Sequence, residues 1–196
     1  ERMPAEAGRS QVFLGSAEGW LAVLVLADQL RAEARQVIAE LQALGVDITL
    51  LSGDSPAVVA SVAAQLSIPH AFGGQLPADK LAYLQSLQQQ GVTAAMVGDG
   101  VNDAPVLAGA PVSIAMGSGS HLAQASADMV LLSENLQQLP FALRTARRMQ
   151  TIIKQNFIWT IGYNLIAIPL AASGMVAPWM AAIGMSASSL VVVLNS

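Results

Sequence analysis

Cysteine is absent from all 196 residues, which excludes a disulfide framework and any thiolate metal site within this chain. Charge is scarce too. Only 11% of residues are Asp, Glu, Lys or Arg, against about 25% in ordinary soluble domains. The scarcity is local. From Gln155 to Ser196 there is no Asp, Glu, Lys, Arg or His, whereas the residues before Gln155 have the make-up of a soluble α/β domain. A boundary near residue 155 and a membrane portion after it are therefore expected. Net charge is −4 and the cations gather only on one predicted helix, so nucleic acid is not an expected partner. No N-terminal signal sequence is visible; the first residue is Glu1 and the last residues are apolar, so the expectation is a piece of a longer polypeptide.

What is present is a run of polar groups at the end of a buried strand. Val92–Val97 is short and apolar, and it stops at Gly98-Asp99-Gly100. Asn102, Asp103 and Pro105 follow, the proline suited to the first turn of a helix. Ligands of open α/β sheets bind at the carboxyl ends of strands. Glycine lets the backbone turn and approach a ligand closely. Two carboxylates and an amide there suit a hard ion such as Mg²⁺ beside a phosphate. A turn capped by Asp and Asn is the plain alternative for Gly-Asp-Gly alone.

Two further places carry chemistry. Strand Val46–Leu51 ends in Ser52-Gly53-Asp54-Ser55-Pro56, where Ser55 caps and Pro56 opens a helix running to about Leu66. A hydroxyl, a glycine and a carboxylate before a helix N-terminus can bind phosphate, or merely form a capping turn. Pro77 opens a helix carrying Leu81, Leu84 and Leu87 on one face and closed by Gly91. Lys80 lies in its first turn, where a cation opposes the helix dipole. That suggests an anion nearby, with a solvated lysine as the bland reading.

The remaining pattern is alternating strands and helices, which indicates a parallel sheet. Val12–Gly15 reads as a short strand and Trp20–Ala27 as one buried on both faces, with Asp28 as a helix cap. Ala34, Val37, Ile38, Leu41 and Leu44 recur at helical spacing up to Gly45. Ile68–Phe72, Val112–Met116 and Met129–Leu132 read as strands, and Ala104–Ala108 as a short helix. His70 reads as a partly buried or surface histidine rather than a ligand, and His121 as exposed on a short helix. Gly117-Ser118-Gly119-Ser120 lacks the Lys and Ser/Thr of a Walker motif and reads as a turn. Ser133–Gln155 reads as a long helix bearing Arg144, Arg147, Arg148 and Lys154, which places its side in the cytoplasm by the positive-inside rule.

Asn156–Ala172 and Pro178–Leu194 are each about long enough to span a bilayer. Neither carries a carboxylate for a divalent hard ion. Tyr163 and Asn164 lie in the first, and Met185, Ser188 and Ser189 in the second. Soft sulfur with neutral oxygens suits Cu(I), and ordinary helix packing explains the same residues otherwise.

The string from Gly98 to Pro105 resembles the hinge motif of the P-type ATPases, Gly-Asp-Gly-x-Asn-Asp-x-Pro. These pumps build their phosphorylation domain on the haloacid-dehalogenase fold. Ser52-Gly53-Asp54 is similar to their Thr-Gly-Asp, with the hydroxyl kept, and Pro77-x-x-Lys80 to their Pro-x-x-Lys. Tyr163-Asn164 and Met185 with Ser188-Ser189 resemble the copper type. Zinc and cadmium pumps carry a lysine and an aspartate in these helices, and both are missing here. Pro169 to Ala172, Pro178-Trp179 and Gly184 to Ser186 also resemble pumps that supply copper for cytochrome oxidase assembly.

The resemblance implies an incomplete haloacid-dehalogenase-like domain followed by a transmembrane helical hairpin. Residues 1–19 would be the tail of a nucleotide-binding domain, 20–135 the phosphorylation domain, 136–155 a connecting helix and 156–196 two membrane helices. It implies ATP as substrate, an aspartyl-phosphate intermediate, and Mg²⁺ on Asp99 and Asp103. Lys80, Asp99, Asn102 and Asp103 would be catalytic. Ser52, Gly53, Asp54 and Lys80 would hold the phosphoryl group. Tyr163, Asn164, Met185 and Ser189 would hold the transported Cu(I). The protein would lie in a bacterial inner membrane with residues 1–155 cytoplasmic, with a copper chaperone as a further partner. The nucleophilic Asp-Lys-Thr-Gly string does not occur, so the fragment alone is not expected to turn over ATP. A haloacid-dehalogenase-type phosphatase, soluble or anchored by its tail, a zinc or cadmium pump, and a non-catalytic membrane module stay open as alternatives.

Overall fold

The computed structural model describes residues 10–16, 19–26, 29–99, 101–133 and 135–195. The chain divides into two compact units, one ending at Pro140 and one running from Phe141.

The first unit opens with an antiparallel hairpin of β1 (Ser10–Ser16) and β2 (Gly19–Leu26). Phe13 and Trp20 meet edge to face across it, their ring centroids 5.6 Å apart. The apolar run from Trp20 predicts a strand covered on both faces, and here the structure differs. Among the described residues β2 pairs only with β1, and Trp20, Leu21 and Leu24 are exposed. An apolar run states that cover is wanted; it does not supply the layer. Ala27 and the cap assigned to Asp28 lie outside the described residues.

Alternation then follows as the punctuation predicts. Helix α1 (Ala34–Ala43) buries Ala34 and Val37, and Gly45 leaves it at φ +73. Strand β3 is Thr49–Leu51. Helix α2 (Pro56–Leu66) begins with Ser55 Oγ accepting from Val58 N and with Pro56 in its first turn. Strand β4 (His70–Phe72) pairs parallel with β3, and His70 is exposed. Helix α3 (Pro77–Gln89) starts where Leu76 N donates to Asp79 Oδ2, and it buries Leu84. Gly91 takes the chain out of it at φ +75.

A second parallel sheet has the order β5 (Ala95–Gly98), β6 (Val112–Met116), β7 (Met129–Leu131). A 3-10 turn (Val101–Asp103) and α4 (Ala104–Gly109) connect β5 to β6, and α5 (His121–Ser126) connects β6 to β7. His121 is exposed on α5, as expected. Several strands are shorter than the apolar runs that predict them, because only the paired part adopts the ladder. Leu107, Ala115 and Ala123 are fully buried together, with Met96, Ala127 and Val130 packed around them. Burying a valine or leucine fully is worth roughly 1.5–3 kcal/mol, so α4 is anchored largely through Val106 and Leu107. Among the described residues Ser113 is the buried polar exception, and Asp128 Oδ2 accepts from both its N–H at 2.9 Å and its hydroxyl at 2.8 Å.

The expected helix from Ser133 begins later. Asn135 Oδ1 takes the N–H of Gln137 in a local turn, so α6 starts at Gln138 and runs unbroken to Ala172. The second unit is the rest of α6 with α7 (Pro178–Asn195), joined through Gly174 at φ +75. The two helices run antiparallel. Asn195 Nδ2 donates to Asn156 Oδ1 at 2.9 Å, Trp159 Nε1 donates to Ser188 Oγ at 3.2 Å, and Tyr163 lies against Gly184. A Cβ on Gly184 would stand 2.6 Å from the Tyr163 hydroxyl oxygen, so glycine permits this approach. Among the described residues one helix, α7, is long and apolar enough by length and composition to cross a membrane. The uncharged part of α6 carries Asn156, Thr160, Tyr163 and Asn164, which lower its mean hydropathy.

Candidate functional site

At the carboxyl end of β5 the chain turns through Gly98 and Asp99 into the 3-10 turn that carries Asn102 and Asp103. Gly98 keeps that approach open. A Cβ would lie 3.0 Å from Asp103 Cβ and 3.2 Å from its Oδ2. Asp103 therefore folds back against the strand end. Lys80 arrives from the first turn of α3, and its Nζ is 2.7 Å from Asp103 Oδ1. Both side chains are largely buried, at 12% and 14% exposed, so the pair is shielded from solvent far better than a surface bridge. The cation that opposes the α3 dipole thus has its anion.

Asp99 is exposed, and among the described residues its carboxylate takes no hydrogen bond or ion pair. Its backbone is fixed instead, since Ser120 N donates to Asp99 O at 3.1 Å. Asn102 is also exposed. Gly100 lies outside the described residues.

The Ser52 loop is internally bonded. Ser52 Oγ donates to Asp54 Oδ2 at 2.9 Å and accepts from Asp54 N at 3.2 Å. Gly53 leaves open space on its side, with only Gln75 O at 3.6 Å from an added Cβ. The loop is laced to the segment before α3. Gly74 N donates to Asp54 O at 2.6 Å and Gln75 N to Ser52 O at 2.9 Å. Leu76 then accepts from Lys80 N, so Ser52 and Lys80 are linked through one short connection. Gly73 is pressed into this lacing, its added Cβ only 2.6 Å from Pro56 Cα.

The arrangement gathers groups that could receive a phosphate. It holds one exposed carboxylate, a lysine on a second carboxylate, and a hydroxyl loop before a helix start. Hard oxygen donors suit Mg²⁺, which is commonly held by one or two carboxylates with waters and phosphate oxygens completing its shell. The open Asp99 carboxylate fits that requirement best, because one oxygen of Asp103 is already engaged by Lys80. Among the described residues no three acidic or His side chains cluster as an all-protein cage.

In the second unit Tyr163 lies on the α6–α7 seam, while Asn164, Met185 and Ser189 are exposed. Asn164 Nδ2 donates to Thr160 O of its own helix at 2.9 Å. Each of Asn164, Met185 and Ser189 follows a seam residue (Tyr163, Gly184, Ser188) by one position. One position is about 100° of helix, and in an antiparallel pair that rotation carries both helices to the same side. These three residues therefore share one open side of the pair. Helical phase alone could have revealed this. Gly119, in the stretch read as an ordinary turn, also sits directly behind Asp99, which no local signal announces.

A profile of haloacid dehalogenase-like hydrolases matches residues 2–111, and a second of the same description matches residues 79–155. The chain is 40% identical over all its 196 residues to the cation-transporting P-type ATPase B of Mycobacterium tuberculosis (strain ATCC 25618 / H37Rv), covering 26% of that protein. It is 40% identical over 192 residues, 97% of its length, to the copper-exporting P-type ATPase of Bacillus subtilis (strain 168), covering 24% of it. The crystal structure of a zinc-transporting PIB-type ATPase in its E2.Pi state superposes with a TM-score of 0.85 at 35% identity, over 96% of this chain and 31% of that one. The chain thus spans about a quarter of the length of these curated relatives. It belongs to the haloacid dehalogenase-like hydrolase family, and the relatives it resembles at 40% identity are P-type ATPases.

Proposed function

We propose that this chain is the C-terminal part of an ATP-driven heavy-metal pump that exports Cu(I). The observation that carries the reading is the Lys80–Asp103 pair beside the open carboxylate of Asp99 at the end of β5. In the whole pump an upstream aspartate oxygen would attack the γ-phosphorus of ATP. The bond to the bridging oxygen of ADP would break, and water would later cleave the acyl phosphate. Lys80 would neutralise phosphoryl oxygens, while Ser52 Oγ and the Gly53 N–H would donate to them. Asp54 would set the Ser52 hydroxyl, to which it is already bonded. Asn102 would orient the phosphoryl group. Asp99, with Asp103, would hold Mg²⁺, which when bound offsets the charge on the transferring group.

Residues 1–19 would close a nucleotide-binding domain, 20–135 would form the phosphorylation domain, and 136–155 would connect it to two membrane helices in 156–196. Arg144, Arg147, Arg148 and Lys154 would keep that end of α6 on the cytoplasmic side of a bacterial inner membrane. Tyr163, Asn164, Met185 and Ser189 would contact the ion, delivered by a copper chaperone. A thioether among neutral oxygens favours Cu(I), as does the name of the copper-exporting relative. The name of the structural neighbour favours zinc as the second reading.

The test is ATP hydrolysis by the full-length pump in lipid with Cu(I), Ag(I) or Zn(II), with Met185→Ala beside it. Stimulation by Cu(I) and Ag(I) that Met185→Ala weakens is expected. Stimulation by Zn(II) alone overturns the copper assignment. No response to any metal, with phosphatase activity intact, overturns the pump.

A further inference from the structure

The turn after β6 touches the candidate site from behind, and one side chain holds it there. Gln124 Nε2 donates to Gly117 O at 2.9 Å and to Gly119 O at 3.1 Å. One amide thus bridges two carbonyls of a turn that Gly119 N also closes by donating to Met116 O at 2.9 Å. The turn is confined on both sides. A Cβ on Gly117 would lie 2.5 Å from Leu131 O, at the end of β7. A Cβ on Gly119 would lie 2.8 Å from Asp99 O and 2.8 Å from Met116 O. The next residue, Ser120, gives its N–H to Asp99 O at 3.1 Å and caps α5 by accepting from Ala123 N at 3.1 Å. Ala123 is fully buried in the core, so α5 is a fixed mount for Gln124.

We propose that Gln124 is a positioning residue for Asp99, acting through the Gly117–Ser120 turn. The inference rests on the reading of Asp99 as the Mg²⁺ carboxylate. Asp99 follows two short-range constraints, Gly119 packed on its carbonyl and Ser120 N–H bonded to it. Both are set by the turn, and Gln124 ties two of its carbonyls to α5 beside the Gly119 N–Met116 O bond. Without the amide, two carbonyl oxygens lose their shared donor and the turn can move away from the β5 end. Asp99 would then keep its charge and lose its place.

The experiment uses the full-length protein with Gln124→Met, which keeps the side-chain size and removes the donor. Gly119→Ala is the second variant, since it displaces the Asp99 backbone with Gln124 intact. Two quantities are read: hydrogen exchange of the Ser120 amide, and the Mg²⁺ concentration at half-maximal protection of residues 98–103 against exchange. Outer residues that orient a metal ligand typically change affinity by about ten- to a hundredfold. Both variants should therefore speed Ser120 exchange and raise the Mg²⁺ midpoint by about tenfold. Faster Ser120 exchange with an unchanged Mg²⁺ midpoint overturns the inference, because the clasp would then hold only a loop. A wild-type protein that shows no Mg²⁺ protection overturns the Mg²⁺ reading of Asp99 and the inference with it.

Discussion

Lys80 Nζ and Asp103 Oδ1 stand 2.7 Å apart although 23 positions separate them in sequence. The pair ties the start of α3 to the turn after β5. It also leaves Asp99, four residues before Asp103, as the open carboxylate of the site. One lysine thus divides two neighbouring aspartates into an engaged one and a free one.

Lys80→Met should therefore damage the site doubly, by removing a donor and by freeing Asp103. Loss of one preorganised donor to a developing charge typically costs about 10²–10³ in turnover. Metal-stimulated ATP hydrolysis by the full-length protein should fall within that range, and Lys80→Arg should restore part of it. Equal activity in Lys80→Met would remove the lysine from the chemistry.

Gly98→Ala tests the fold-back of Asp103. The new Cβ would meet Asp103 Cβ at 3.0 Å and Oδ2 at 3.2 Å, so Asp103 must shift. A misplacement of about 1 Å can cost about a hundredfold in rate. Asp103 need give by only a few tenths of an ångström, so turnover should drop by up to about tenfold while the protein remains folded by hydrogen exchange.

Gly73→Ala tests the lacing of the Ser52 loop. Its Cβ would meet backbone atoms, Pro56 Cα at 2.6 Å and Pro56 N at 2.8 Å, which cannot swing aside. Overpacking of this kind costs about 1–3 kcal/mol. The urea midpoint for loss of structure in the α/β unit should fall accordingly.

Asp128→Ala removes the carboxylate that serves both the N–H and the hydroxyl of buried Ser113. Leaving buried donors unpaired costs about 1–3 kcal/mol each. Faster exchange of the Ser113 amide should follow, with little change in the Mg²⁺ midpoint at Asp99.

Punctuation residues made much of the first unit legible. Ser55-Pro56 and Pro77 start helices where the structure starts them, and Gly45 and Gly91 end them at positive φ. These signals are local, so the sequence carries them openly. Lys80 was legible for another reason: a cation at a helix start is a conflict that only a partner resolves. The exposed hairpin face at Trp20 was not legible, because hydrophobicity reports a need for cover and not its supply. The late start of α6 turns on a side chain of Asn135 bonding its own backbone, which competes silently with helix formation. The Gly117–Ser120 turn looked like a plain connection because its contact, Asp99, comes from a strand end 18 residues earlier than Gly117.

The role of Asp99 is tested most directly by metal-stimulated ATP turnover of the full-length protein in lipid, with Asp99→Asn beside the wild type. The substitution keeps the shape and removes the charge that would hold Mg²⁺. A loss of about a hundredfold or more is expected, with the α/β unit still folded. Unchanged metal-stimulated turnover in Asp99→Asn would contradict that role, because the end of β5 would then not be where phosphoryl transfer is supported.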